Sequence, residues 1–272
     1  SGGLNVEARV AGLFVYPVKS CRAVALDRAV VEARGLRYDR RWMVVDPDGS
    51  FVTQRARPDL ARVEVAVDPS SGILNLSTRE HPTLQLPLVP DDGAARTVRI
   101  WDDEVEAIDG GADAARWISL VLGGAASLVF MPERTSRAVS PRYARGADVV
   151  SFADAFPILF TATASLADLN ARLERGLPMD RFRPNVVVDG GTPWQEDGWR
   201  RVRVGRIGVR VVKGCDRCVV TTVDQRTGER GVEPLRTLAT FRQREHKVYF
   251  GVNGIPEAPG EIAVGDVLTT SD

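Results

Sequence analysis

The sequence predicts a mainly β protein with a few helices (α+β), built as two β-rich domains. Short runs of β-branched and aromatic residues recur along the whole chain, separated by Pro, Gly, Asn and Asp, which is typical of a β-barrel or sandwich. Helical spacing of apolar residues is confined to three segments. The 272 residues are 44% hydrophobic and 26% charged, so they provide ample core and correspond to about two domains.

The first half carries the clearest strand and turn signals. Pro47-Asp48-Gly49 predicts a hairpin turn, because proline sets φ and glycine accepts a positive φ. A helix is predicted over 113–122, where Trp117 and Val121 lie four residues apart on one face. The predicted strands of this half are residues 8–17, 24–33, 42–45, 51–53, 63–67, 73–77, 97–101 and 104–108.

Residues 131–150 interrupt this pattern with Pro, Ser and several arginines. We interpret the segment as a solvated loop or linker, with a basic rim over an anionic site as the alternative. The domain boundary is predicted between 125 and 150, which gives domains of 8–125 and 126–270.

The second half continues with strands and two further helices. Leu166, Leu169 and Leu173 form an apolar stripe in the segment 165–176, with Gly176 suited to follow a helix end. Pro234 opens a short helix whose Leu235, Leu238 and Phe241 share a face. The predicted strands are residues 149–152, 158–161, 185–188, 201–204, 209–212, 219–223, 248–252 and 261–268.

Composition excludes several classes of protein. The formal net charge is zero and the pI is near 6.7, so the overall charge of the protein does not favour binding to nucleic acid. No apolar run approaches the ~18 residues of a membrane span, and the start lacks the pattern of a secretory signal. Three cysteines argue against a disulfide framework. We therefore expect a bacterial-type cytoplasmic protein without a membrane anchor.

Two of those cysteines, Cys215 and Cys218, form a CxxC motif that runs into Val219-Val220-Thr221-Thr222-Val223. β-Branched residues favour a strand there, whereas a thioredoxin-type motif precedes a helix. A zinc site needs further ligands, and only Cys21, His81 and His246 are left to supply them. On the residues alone, two buried inert thiols remain as good an interpretation as a functional pair.

The longer pattern from 213 to 242, KGCDRCVVTTVDQRTGERGVEPLRTLATFR, changes this balance. It resembles the MOSC domain, the carboxy-terminal domain of molybdenum-cofactor sulfurases. It is most similar to the mitochondrial amidoxime-reducing component and its bacterial YcbX-like relatives. The resemblance implies an amino-terminal MOSC β-barrel module, a MOSC β-barrel domain and molybdenum ligated by Cys218. Cys215 would support that ligand without binding the metal.

The resemblance also assigns cofactor-binding residues near the start of the chain. Lys19 and Ser20 follow an apolar strand and turn at Pro17, and an ammonium beside a hydroxyl suits a phosphate oxygen. The resemblance also implies that an arginine in Asp39-Arg40-Arg41 contacts the cofactor, and both Arg40 and Arg41 are candidates.

Further assignments lie in the second half. Pro184 predicts an extended Arg183, which would alternate with its neighbours as the chain enters a strand, and the resemblance makes Arg183 and Asn185 cofactor ligands. It places Asp154 near the metal, to orient substrate or relay protons. Arg217 and Thr221 are candidates for contact with the pterin or the substrate. We expect Lys19, Arg40, Arg183 and Asn185 to converge on one phosphate-sized site.

The implied activity is reduction of N-hydroxylated compounds (amidoximes, hydroxylamines and N-hydroxylated bases) with the molybdenum cofactor. Family descriptions also name pyridoxal phosphate, which we rank below the molybdenum cofactor. Three cysteines cannot ligate a four-cysteine iron–sulfur cluster, so we expect a separate electron donor such as a ferredoxin, cytochrome or flavoprotein reductase. The alternatives are a non-catalytic carrier of sulfur or cofactor, and a binding module with inert thiols or zinc.

Overall fold

A computed structural model describes residues 8–271 and confirms a mostly β fold with three helices in that range. The helices are α1 (Ala112–Leu122), α2 (Thr163–Asn170) and α3 (Leu235–Ala239). The strands before α2 are β1 (Ala8–Val15), β2 (Val24–Leu26), β3 (Arg28–Glu32), β4 (Gly35–Leu36), β5 (Trp42–Val45), β6 (Phe51–Val52), β7 (Glu64–Asp68), β8 (Ile73–Ser77), β9 (Leu84–Pro87), β10 (Ala95–Ile100), β11 (Asp103–Asp109), β12 (Ser127–Phe130) and β13 (Ile158–Ala162). The remaining strands are β14 (Val186–Asp189), β15 (Arg201–Val204), β16 (Ile207–Asp216), β17 (Gln243–Arg244), β18 (Lys247–Pro256), β19 (Gly260–Ala263) and β20 (Val267–Ser271).

A closed seven-stranded barrel forms the core of the second half. Its strand order is β13-β14-β1-β20-β15-β16-β18, and the pairing of β13 with β18 closes the ring. Strand β1 joins this barrel from the start of the chain, with Leu13 opposite Val186 on β14. A barrel strand points every second side chain inward, so Ala8 and Val10 are buried before the register shift at residues 10–12, and Leu13 and Val15 after it.

The other strands lie in three smaller sheets: β10-β11-β12-β5-β6, β7-β8-β9 and β19-β3-β4. Helix α1 packs on this part of the protein through buried Trp117 and Ile118, next to the buried Trp42. It ends at Gly123, whose left-handed backbone (φ 62°) suits glycine.

The two halves of the chain interlock. Strand β1 completes the barrel of the second half, and β19, near the end of the chain, pairs with β3 near its start. Consequently, residues distant in the sequence face each other where the halves meet. The boundaries at 125 and 126 remain a prediction.

The predicted strand over 219–223 is wrong. Residues Val219–Thr222 form a 3₁₀ helix that directly follows Cys218. The hydroxyl of Thr221 donates to the Cys218 carbonyl oxygen (2.9 Å), and that of Thr222 to the Val219 carbonyl oxygen (2.7 Å). These local hydrogen bonds outweigh the β propensity of the segment. A strand would have placed Cys218 on one face with Val220 and Thr222, because strand side chains alternate, and the 3₁₀ helix removes that alternation.

Two other predicted elements are shorter or absent. Helix α2 ends at Asn170 instead of continuing to Gly176. The Asn170 side chain accepts from the Leu177 N–H (2.9 Å) and donates to the Leu177 carbonyl oxygen (3.0 Å), which turns the chain away from the helix axis. Residues 149–152 form no strand, since Val149 makes only an isolated bridge with Ala138.

Candidate functional site

A cavity of about 1080 Å³ lies between the barrel and the first-half sheets. It brings together residues separated by up to about two hundred positions. The predicted site residues that line it are Lys19, Ser20, Arg40, Asp154, Arg183, Asn185, Cys215, Arg217 and Cys218. Thr221 is buried behind Cys218 and is not among the lining residues. Lys19, Arg40, Arg183 and Asn185 thus all line this cavity, and their convergence on one phosphate-sized site remains a prediction.

The floor of the cavity is cationic and is built on Tyr16. The guanidinium groups of Arg40 and Arg183 lie 4.1 and 4.3 Å from the Tyr16 ring centroid. Arg40 pairs with both carboxylate oxygens of Asp39 (2.9 and 2.8 Å), and Asp39 also accepts from the Tyr16 backbone N–H. Burial lowers the pKa of Arg183 to about 10, and still leaves it protonated at neutral pH. Two adjacent cations suit an anionic group such as a phosphate.

Arg40, and not Arg41, faces the cavity. Arg41 turns the other way, where its Nε and Nη2 both donate to the Met131 carbonyl oxygen (3.0 and 2.7 Å). Its guanidinium lies 5.1 Å from the Phe130 ring centroid. This resolves the choice between the two arginines that the sequence left open.

Arg183 is not extended, so the conformation predicted from Pro184 is wrong. Its φ and ψ are 54° and 48°, in the left-handed region. In this conformation the guanidinium donates to Gln225 Oε1 and to the Cys21 carbonyl oxygen, both at 2.8 Å. These contacts outweigh the local preference of a residue before proline. Asn185 is also engaged: its side chain accepts from Leu159 N–H and donates to the Phe14 carbonyl oxygen.

One wall of the cavity holds an ionic chain through Asp154. Buried Lys19 donates from Nζ to Asp154 Oδ1 (2.5 Å) and to the Phe152 carbonyl oxygen (2.8 Å). Arg55 donates to the other oxygen, Asp154 Oδ2 (2.8 Å). Desolvation would raise the pKa of Asp154, but Lys19 and Arg55 outweigh it and hold that pKa far below its ordinary value. Asp154 is thus a carboxylate at any working pH.

The two cysteines differ in their contacts. Cys215 lies within β16, and its Sγ accepts from Arg217 Nη1 at 2.9 Å. Cys218 lies beyond the strand end, is half-buried, and lines the cavity near Arg55. Arg217 Nη2 donates to the Phe182 carbonyl oxygen (2.6 Å), whereas the buried Arg217 Nε has no partner. A half-exposed thiol beside a guanidinium is suited to act as a thiolate ligand or nucleophile.

The arginines of 131–150 form no simple basic rim. Arg137 is buried and donates to the carbonyl oxygens of Ser151 (3.0 Å), Ala153 (2.6 Å) and Asp154 (3.1 Å). It also pairs with Asp103 at 2.7 Å. Arg137 therefore fixes the backbone that carries Asp154.

The lining residues that the sequence did not single out include Arg55, Trp101 and Arg137. Arg55 is one of many arginines, and no spacing marks it. Trp101 was predicted as the last residue of the strand 97–101, and only the pairing of Ile100 with Asp103 shows that it lies in the hairpin turn.

Comparison with known proteins identifies the family. The MOSC N-terminal beta barrel domain matches residues 7–125, and the MOSC domain matches residues 147–269. The human mitochondrial amidoxime-reducing component 1 is 36% identical over 281 residues, covering 97% of this chain and 83% of the human protein. Its mouse counterpart is 37% identical, with 97% and 82% covered. This chain belongs to the MOSC-domain family.

Among solved structures, the YUAD protein from Bacillus subtilis aligns with this MOSC protein at a TM-score of 0.41 and 11% identity, covering 96% of this chain and 94% of that one. Within residues 8–271, no helix of the MOSC protein has the length and apolarity needed to cross a membrane. In the same range, no three His, Cys, Asp or Glu residues cluster as metal ligands.

Proposed function

We propose that this MOSC protein is a molybdenum-cofactor-dependent reductase of N-hydroxylated compounds such as amidoximes, hydroxylamines and N-hydroxylated bases. The observation that carries the proposal is that a half-exposed Cys218 and a cationic floor of Arg40 and Arg183 share one cavity. The relatives named amidoxime-reducing components support the same reaction class.

The residues fit the cofactor. Arg40, Arg183 and Ser20 would hold its terminal phosphate, with Lys19 and Asn185 beside them. The unpartnered Arg217 Nε supports a polar ligand near the cysteines, and Thr221 would support Cys218 from behind. Cys218 would supply the protein's sulfur ligand, because a soft metal favours thiolate. When bound, the cofactor supplies the two-electron reduction that removes the substrate oxygen.

The overall reaction balances as an amidoxime plus two electrons and two protons giving an amidine and water. Asp154 is the residue that we assign to orient the substrate. Because Lys19 and Arg55 keep it ionised, it accepts a hydrogen bond from the substrate N–H or O–H and does not donate a proton. This assignment selects one of the two roles that the sequence left open for Asp154.

The electrons would come from a separate donor, a ferredoxin, a cytochrome or a flavoprotein reductase. The deciding experiment loads the protein with molybdenum cofactor and supplies an artificial reductant and benzamidoxime. We expect benzamidine and about one molybdenum per chain. A pyridine nucleotide alone should give no turnover. Loaded protein that binds molybdenum but forms no benzamidine with any reductant would contradict the proposal.

A carrier of sulfur or cofactor is the second candidate, and the Arg217–Cys215 contact favours it. A guanidinium there would also stabilise a charged persulfide on Cys215. Failure to form benzamidine, together with transfer of sulfur from Cys215, would select this candidate. Pyridoxal phosphate has less support, since the Lys19 amine is buried in its contacts with Asp154 and Phe152.

We expect reductase activity to fall above pH 8. Burial lowers the pKa of Lys19 to about 8, although Asp154 opposes the shift. Above that pH the folded protein loses the ammonium that positions Asp154. In the unfolded chain the pKa is near 10.5, so the unfolded state binds more protons between these values. The Lys19 contribution to the free energy of unfolding should therefore rise over the range in which activity falls.

The measurement is a pH profile of kcat/KM for benzamidoxime beside chemical unfolding over the same range. Lys19→Arg is the control, because a guanidinium keeps its charge and should move the alkaline limb to higher pH. An unchanged alkaline limb in Lys19→Arg would exclude Lys19 as its origin.

A further inference from the structure

Trp101 occupies a position in the β10–β11 hairpin where glycine is usual. Ile100 pairs with Asp103, so Trp101 and Asp102 form a two-residue turn. Trp101 has φ 54°, in the left-handed region that bulky side chains rarely adopt. Ser20, Arg40 and Arg183 share this left-handed backbone and line the same cavity. Backbone conformations of this kind concentrate at binding sites, where surrounding contacts impose them.

Trp101 is also exposed in an unusual place. The exposed large hydrophobic residues among 8–271 are Val89, Trp101, Leu120, Val232 and Val264. Of these, only Trp101 lines the cavity, and 44% of its surface is exposed. The apolar side chains of Val139 and Phe156 also line this cavity.

The β10–β11 hairpin is fixed relative to the cavity wall that carries Asp154. Buried Arg137 pairs with Asp103 and donates to the carbonyl oxygens of Ser151, Ala153 and Asp154. The Thr135 hydroxyl adds a 2.8 Å hydrogen bond to the Glu106 carbonyl oxygen on β11. The position of Trp101 is therefore tied to that of Asp154.

Arg55 links Trp101 to the reactive residues. Its guanidinium lies 4.7 Å from the Trp101 ring centroid, pairs with Asp154 at 2.8 Å and lies near Cys218. Phe51 packs against the same indole, with ring centroids 5.0 Å apart and ring planes tilted by 57°. The indole thus lies within one side chain of Cys218 and Asp154, while a large part of it faces open space.

We propose that Trp101 is a specificity-determining residue, which stacks the planar group of aryl or conjugated N-hydroxylated substrates beside Asp154. This inference rests on the proposed function for the class of substrate. Stacking on Trp101 leaves the N-hydroxyl end of such a compound near Asp154 and Cys218. Small aliphatic compounds lack a planar group and gain nothing from the indole. Exposed Asp102, beside Trp101, further favours neutral or cationic substrates over anionic ones.

The test compares benzamidoxime with acetamidoxime in protein loaded with cofactor. Trp101→Asn is the informative variant, because asparagine tolerates the left-handed backbone and keeps the hairpin. We expect kcat/KM for benzamidoxime to fall about tenfold more than kcat/KM for acetamidoxime, through KM. Trp101→Phe should preserve most of the preference. Leu120→Gln, an exposed apolar residue on α1 away from the cavity, is the matched control and should leave the ratio unchanged.

A binding measurement separates this inference from the proposed function. Calorimetry with benzamidine and acetamidine reports the same preference in loaded protein without turnover. Loss of the benzamidine preference in Trp101→Asn supports stacking on Trp101, even if the protein reduces neither amidoxime. In that case only the proposed reaction fails. The role of Trp101 would be overturned if Trp101→Asn kept the wild-type ratio of kcat/KM for benzamidoxime and acetamidoxime and the wild-type ratio of affinities for benzamidine and acetamidine. That result would not affect the proposed reductase activity.

Discussion

Cys218→Ser is expected to abolish reduction of benzamidoxime. A neutral hydroxyl is a poor replacement for a thiolate on a soft metal, so the variant should lose the sulfur ligand that holds molybdenum at the protein. Cys218 is half-buried and lines the cavity near Arg55, so the substitution changes a group that faces the cavity. The measurement is kcat for benzamidoxime beside molybdenum and pterin content per chain.

Cys215→Ser is the matched control for that experiment. Its sulfur accepts from Arg217 at 2.9 Å, and a serine hydroxyl can accept from the same guanidinium. We expect this variant to keep its metal and to lose at most ~10–100-fold in activity, as for a group that supports a ligand. The ligand assignment is wrong if the two phenotypes are reversed or if Cys218→Ser keeps full activity.

Cys218 is held in place by a different element from the strand that the sequence predicted over 219–223. Instead of a strand, the 3₁₀ helix at Val219–Thr222 fixes the residue, since the N–H and hydroxyl of Thr221 both donate to the Cys218 carbonyl oxygen. On the other side, Arg217 N–H donates to the Val248 carbonyl oxygen (2.7 Å) on β18. The β propensity of residues 219–223 predicted a strand. Propensity does not include the side-chain hydrogen bonds of Thr221 and Thr222, which stabilise the 3₁₀ helix instead.

The fold class was predictable because barrel strands leave a visible alternation. In β1 the buried Leu13 and Val15 lie on either side of the less buried Phe14, and Ala8 and Val10 do the same around Arg9 before the register shift at residues 10–12. The partner of each strand was not predictable in the same way. Nothing local to β1 indicates that Leu13 lies opposite Val186, since that pairing depends on the closure of the whole barrel.

Some residues of the candidate site could likewise be identified from the sequence, and others could not. Residues inside long motifs, such as Lys19 and Cys218, could be selected by resemblance. Arg55 and Arg137 could not, because their roles depend on carbonyl and carboxylate groups that only the folded chain brings near. Nothing in the sequence indicates that Lys19 is held by Asp154, the carboxylate to which we propose to assign the orientation of the substrate.

Arg183→Gln is expected to lower cofactor retention about tenfold or more. Arg183 presents a buried charge to the cavity floor beside Arg40, and hydrogen bonds from charged groups are worth about 1.5–3 kcal/mol. The measurement is molybdenum and pterin per chain after gel filtration, together with the free energy of unfolding of each variant.

Arg181→Gln separates loss of the cofactor from loss of stability. Arg181 is also buried, donates to the Thr222 carbonyl oxygen (3.1 Å) and pairs with Asp224 (3.0 Å), but it is not among the lining residues. Both variants should destabilise the fold, since each removes a buried arginine from paired acceptors. Only Arg183→Gln should release the cofactor. Equal cofactor loss in the two variants would show that retention follows stability alone, and the phosphate site would then have to be sought elsewhere in the cavity.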